Sequence, residues 1–150
     1  MSNIARFAAY AAAFEKSFQS DDWSKVEPFF AEDAIYEIDL DPPIGGRFEG
    51  RDAILAYFQY VLDRFDRRFA SREVALLEGP TERGDSVWLR GGATYRAEGV
   101  PEFVLELEET ATFDGDRIRR LEDRYEPAMK EAIAAYLKEH AAKLGIALDD

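Results

Sequence analysis

The stretch FFAEDAIYEIDLDPPIGGRFEGRDAILAY, Phe29 to Tyr57, holds several changes of structure within a short distance. A helix is predicted to end at Phe30 and Ala31, a strand to run through Ala34 to Leu40, a loop to span Pro42 to Gly46, and a new helix to begin near Arg51. The strand rests on the β-branched and aromatic residues Ile35, Tyr36 and Ile38; the loop rests on Pro42, Pro43, Gly45 and Gly46, which punctuate regular structure.

Upstream, Phe7, Tyr10, Ala11, Phe14 and Phe18 recur at spacings of three and four, so residues 3–19 read as a helix with one aromatic face. A second helix is expected from Asp21 or Asp22, carrying Trp23, Val26, Phe29 and Phe30. Downstream, Ile54, Tyr57, Phe58, Val61, Leu62 and Phe65 mark a third amphipathic helix over residues 52–69, with Asp63, Arg64, Asp66, Arg67 and Arg68 mostly outside its apolar face.

The period then changes. Residues 72–78, 86–97, 102–113 and 117–125 read as strands, divided by turn signals at Gly79 to Pro80 with Gly84, at Gly99 to Pro101 and at Asp114 to Asp116. Pro127 opens a last helix in which Met129, Ile133, Tyr136, Leu137, His140 and Leu144 repeat at helical spacing. Strands at hairpin spacing with flanking helices predict an α+β fold with a mostly antiparallel sheet. Residues 1–150 read as one domain, with no linker and no internal repeat.

Composition narrows the function. A chain of 150 residues, 47% of them hydrophobic, can build a substantial core. The formal net charge of −12 disfavours nucleic acid and anionic membrane, which recruit clustered Lys and Arg. Without cysteine there is no disulfide, thiolate ligand or Cys nucleophile. The sole histidine, His140, falls in the last helix, and the carboxylates show no metal-ligand spacing, so no metal and no cofactor are expected. The opening residues read as a mature helix with no export signal, and no apolar run reaches the ~18 residues of a spanning helix. A cytoplasmic protein is expected.

Three short motifs carry a resemblance: F-A-E-D-A at Phe30 to Ala34, G-R-D-A-I at Gly50 to Ile54, and D-G-D-R-I at Asp114 to Ile118. Together with length and element order, they resemble the nuclear transport factor 2-like superfamily. The likeness is to its SnoaL-like branch of polyketide cyclases, ketosteroid isomerases and epoxide hydrolases. The resemblance implies a cone-shaped curved sheet packed with helices around a central pocket. It says little about chemistry, because one fold hosts many functions.

Strand parity selects the candidate acids. Phe103, Leu105, Leu107, Glu109, Ala111 and Phe113 share one face of their strand, and Glu109 is the polar exception. A carboxyl group there has its pKa raised by desolvation and suits a general acid or neutral donor. The alternatives are a pairing with an interior Arg or Tyr, or a bulge that turns it outward. By resemblance Glu109 is the counterpart of the protonated Asp in the oxyanion hole of ketosteroid isomerases.

Asp123, in L-E-D-R-Y, resembles the segment that supplies the catalytic acid of the epoxide hydrolases, while their neighbouring Arg and Asp fall at Gly91 and Ala93. A pairing of Asp123 with an Arg is the alternative. The isomerase's helix-one tyrosine falls at Phe14, and its general base falls near Ile38 or, with a slip of one residue, at Asp39.

Tyr36 and Tyr95 offer hydroxyls to orient a ligand, and Gly91 with Gly92 leave room for a cavity or a sharp bend. The candidate binding set is therefore Phe14, Tyr36, Asp39, Tyr57, Phe58, Gly91 and Tyr95, with Glu109 and Asp123 as candidate catalytic groups. Trp88, Arg90, Thr94 and Arg96 form an outward face suited to a homodimer. Three readings follow: a cofactor-independent acid/base isomerase, cyclase or hydratase acting on a small apolar or polycyclic molecule; a non-catalytic binder of such a molecule; or a protein-interaction module.

Overall fold

The computed structural model describes residues 1–148. Helix α1 (Asn3–Ser20) is capped by Ser2, whose hydroxyl accepts from the Ala5 N–H, and it stops at Asp21, which adopts φ 60°. The expected second helix does not form. Two 3-10 turns stand in its place, Trp23–Lys25 and Glu27–Phe29, because Pro28 has no N–H to give and disfavours helical backbone at Glu27. Phe30 already belongs to strand β1 (Phe30–Ile38), earlier than the sequence pattern indicated.

A short strand that the pattern missed, β2 (Gly46–Glu49), pairs antiparallel with β1. Its polar sequence carries no alternation signal. Arg47 ties it to β1 through an ion pair to Glu37 at 2.5 Å.

Helix α2 (Arg51–Arg64) ends five residues before the expected boundary, and a 3-10 turn, Asp66–Arg68, follows. Strands β3 (Ser71–Arg83), β4 (Ser86–Arg96), β5 (Phe103–Asp114) and β6 (Arg117–Arg124) precede α3 (Pro127–Leu144). Gly79 and Pro80 do not divide β3 as a turn. The strand continues past them through a register shift against β4. At Gly79 φ is 83°, and an added Cβ would lie 2.9 Å from the Trp88 carbonyl oxygen, so glycine fits where other residues do not.

The curved sheet runs β2-β1-β6-β5-β4-β3 and is antiparallel except where β1 meets β6. Two apolar clusters hold the helices against it. One gathers Val26, Phe30, Ile54, Phe58, Ile118 and Leu121. The other joins Phe65, Phe69, Tyr95 and Phe103 to Ile133 and Leu137 of α3. Phe30, Ile54 and Leu121 are fully buried, and each such side chain stabilises the fold by about 1.5–3 kcal/mol. No helix among the described residues is long and apolar enough to cross a membrane.

Candidate active site

The inner face of the sheet, α1 and α2 enclose a chamber of about 550 Å³ with mostly apolar walls. Lining residues Ala8 and Ala11 of α1 and Val74, Ala75 and Leu76 of β3 are exposed, which sets the mouth between those two elements.

One polar pole is built by register. Glu109 on β5 lies directly opposite Asp123 on β6, and Asp123 lies beside Ile38 of β1. Asp123 is 6% exposed, whereas Glu109 keeps partial exposure on the chamber wall. The Tyr36 hydroxyl donates to Asp123 Oδ2. The other oxygen, Oδ1, is buried and closes no hydrogen bond of ordinary geometry.

Burial lifts the Glu109 carboxyl well above its ordinary range, and the charge of Asp123 lifts it further. Burial also raises Asp123, but hydrogen bonding from Glu109 and Tyr36 opposes the rise. Glu109 is therefore raised further than Asp123, the order expected where two close carboxyls share one proton. Asp123 takes a tyrosine, Tyr36, as its partner where an Arg was the alternative, and Glu109 holds regular pairing with Leu89 and Asp123 where a bulge was the alternative. Tyr10 and Tyr125 add phenol groups to the same wall, each raised by burial and by the neighbouring carboxyls.

The chamber brings most of the sequence-selected residues together. Phe14, Tyr36, Tyr57, Phe58, Gly91 and Tyr95 all line it. Phe58 packs edge-on against Phe14 at 5.1 Å and stacks on Trp23 at 5.7 Å, fixing that wall. Tyr57 stacks on Phe48 at 4.2 Å and its hydroxyl donates to the Ile44 carbonyl, so it anchors the 42–45 loop while presenting its ring. Gly91 is on the inner face, where an added Cβ would make ordinary contact with the end of Leu89 at 3.4 Å and the Ala75 carbonyl oxygen at 3.6 Å.

Asp39 is the exception. Ile38 takes the inward position opposite Asp123, so Asp39, one residue on, points away. It is exposed and pairs with Lys130 at 2.8 Å.

A second polar pole was not foreseen. Asp66 was assigned outside the apolar face of a helix, but α2 stops first, with Phe65 at φ −124° and ψ −71°, and the following turn carries Asp66 inward. It accepts from the Tyr95 hydroxyl at 2.9 Å and pairs with Arg72 Nε at 3.0 Å. Arg72 also pairs with Glu15 at 2.9 Å and stacks over Phe18. Burial raises the Asp66 carboxyl, outweighing the guanidinium and the Tyr95 hydrogen bond. Asp66, Arg72 and Glu15 had no sequence signal beyond their charge.

The fold has many solved counterparts. TerC, co-crystallised with polyporic acid, is 17% identical with a TM-score of 0.65, covering 89% of this chain and 98% of that one. A protein with ketosteroid isomerase-like fold from Catenulispora acidiphila, in complex with trimethylamine, is 18% identical with a TM-score of 0.61, covering 94% and 95%. A proposed polyketide cyclase from Sinorhizobium meliloti is 25% identical with a TM-score of 0.56, covering 77% and 93%. No curated protein matches the chain. The SnoaL-like domain model matches residues 8–123, which span both acids and most of the chamber wall, and the chain belongs to that family.

Proposed function

We propose that this chain binds a small apolar or polycyclic molecule in its chamber and moves a proton on it without a cofactor, as an isomerase, cyclase or hydratase does. The observation that carries this reading is the direct opposition of Glu109 and Asp123 inside an apolar chamber, one holding a proton and the other a charge. Two such groups suit enolisation. Asp123 takes a proton from the carbon next to a carbonyl, the C–H electron pair becomes the C=C bond, and the carbonyl oxygen receives the proton of Glu109. Reversal with the proton placed elsewhere gives an isomer.

The test is exchange of α-protons of polycyclic ketones into D2O, followed by NMR. Glu109→Gln is expected to abolish exchange and leave the melting temperature within a few degrees of the parent. Undiminished exchange in that variant removes Glu109 from the mechanism.

A non-catalytic binder is the second reading. It is favoured by Phe14, Gly91 and Ala93, which put apolar groups where relatives of this fold are expected to carry polar ones. A ligand that raises the melting temperature and is recovered unchanged supports it.

The outer sheet face is proposed to pair two copies of the chain. Trp88 is half-buried there, donates to Glu108 Oε1 at 3.0 Å and is covered by Arg83 at 4.6 Å. Trp88→Glu should halve the mass in light scattering; an unchanged mass removes this face from any assembly.

A further inference from the structure

The charges on the chamber wall are uneven. Glu15, Asp66, Glu109 and Asp123 face it with one guanidinium, that of Arg72, and with no lysine or histidine. With one proton shared by Glu109 and Asp123, the wall is net negative. Arg72 does not offset this toward a ligand, because Asp66 and Glu15 already hold it. Apolar walls strengthen the repulsion of an incoming anion relative to water.

A second observation points the same way. Asp123 is buried, its Oδ2 accepts from Tyr36 and it is hydrogen-bonded to Glu109, which keeps partial exposure on the chamber wall, so a ligand meets the pair and its shared negative charge at Glu109. An N–H or O–H on a ligand finds an acceptor in that pair, whereas an ionised carboxylate or phosphate ester brings like charge and no donor.

We infer that the chamber selects its ligand by charge: it takes an apolar skeleton bearing a hydroxyl or a protonated amine, set toward the Glu109–Asp123 pair, and rejects the same skeleton bearing an anionic group. The inference rests on the reading of the chamber as a ligand site and adds the chemical class of what fills it. The aromatic lining contributes, because the rings of Tyr10, Phe14, Tyr36 and Phe58 present faces that attract a cation and tolerate a neutral ring.

A matched set tests it: 2-naphthylmethylamine, 2-naphthylmethanol and 2-naphthoate, titrated into the full chain at neutral pH by calorimetry. The amine is expected to bind at least about tenfold more tightly than the naphthoate, with the alcohol between them, a gap of about 1.4 kcal/mol. The overall charge of the protein also repels anions, so the ratio is measured again in Glu109→Gln/Asp123→Asn, where it should fall several-fold. Asp66→Asn supplies the same comparison if the double variant does not fold.

Naphthoate binding as tightly as the amine overturns the inference and leaves the chamber a ligand site. A ratio unmoved in the variants also overturns it, because the preference then comes from the outer surface. Failure of all three probes to bind at millimolar concentration overturns it together with the ligand-site reading.

Discussion

Glu109 and Asp123 sit directly across from each other on β5 and β6, and the Tyr36 hydroxyl donates to Asp123 from the neighbouring strand β1. Two ionised carboxylates this close in an apolar chamber would repel strongly, so the arrangement fixes the protonation state as much as the geometry.

The pair makes stability depend on pH. Burial and the charge of Asp123 hold the Glu109 pKa well above the ordinary range, so over an interval of pH the folded chain keeps a proton that the unfolded chain has lost. The stabilising contribution is complete below the unfolded value, about 4.3 for Glu, and is lost as pH rises toward the folded value. The loss is at most about 1.4 kcal/mol per pH unit for one proton. Melting temperatures should fall from about pH 5 to 8, and Glu109→Gln, which keeps a donor and cannot ionise, should show a shallower fall. Equal slopes in the two proteins would refute the assignment of the proton to Glu109.

Tyr36→Phe removes the donor to Asp123 Oδ2 and leaves the buried carboxylate with its hydrogen bond to Glu109 alone. The expected loss is about 1–3 kcal/mol in urea unfolding, largest at neutral pH where Asp123 is charged. Adding Asp123→Leu to Tyr36→Phe removes the buried charge and should recover part of the loss. An additive double variant would mean that the Tyr36 hydroxyl does not act through Asp123.

At the second pole Arg72 is held by Asp66 and Glu15 with little access to solvent. Arg72→Met strands the buried Asp66 carboxyl with only the Tyr95 hydroxyl, and the stability lost should be about 2–4 kcal/mol at neutral pH. Asp66 can escape by taking up a proton, so the loss should shrink as pH falls. Arg72→Met/Asp66→Asn should be milder than the single variant. A loss independent of pH would show that the guanidinium acts by covering Phe18 and not by its charge.

The two poles were unequally legible. Period-two alternation is a strong constraint, and it placed Glu109 and Asp123 on the inner face from their apolar neighbours Leu107, Ala111 and Leu121. Asp39 stays in the candidate set through an allowed slip of one residue, and the register of β1 against β6 removes it by the same alternation, because Ile38 takes the inward position. Asp66 was hidden because a helical pattern extrapolates smoothly past a helix end, while the break at Phe65 is a backbone event with no glycine or proline to announce it. Strand β2 was hidden for a different reason: four residues, two of them charged, held by pairing with β1 and not by burial.

Gly79 reads as part of a turn and Gly91 as a strand glycine; both lie within strands, and the fold separates them by what each tolerates. Gly79 has φ 83°, and an added Cβ would stand 2.9 Å from a backbone oxygen of the neighbouring strand, which cannot move without shifting β4. Gly91 has ordinary extended backbone, and its Cβ would meet the flexible end of Leu89 at 3.4 Å with the chamber beyond. Gly79→Ala should therefore cost about 2–4 kcal/mol, from backbone strain and displaced pairing between β3 and β4. Gly91→Ala should change stability by less than about 1 kcal/mol, with a slight gain from the reduced freedom of the unfolded chain. Urea unfolding of the two variants decides it. Equal losses at the two positions would mean that the Gly91 site is packed solid, and the open inner face of β4 on which the chamber depends would be lost with it.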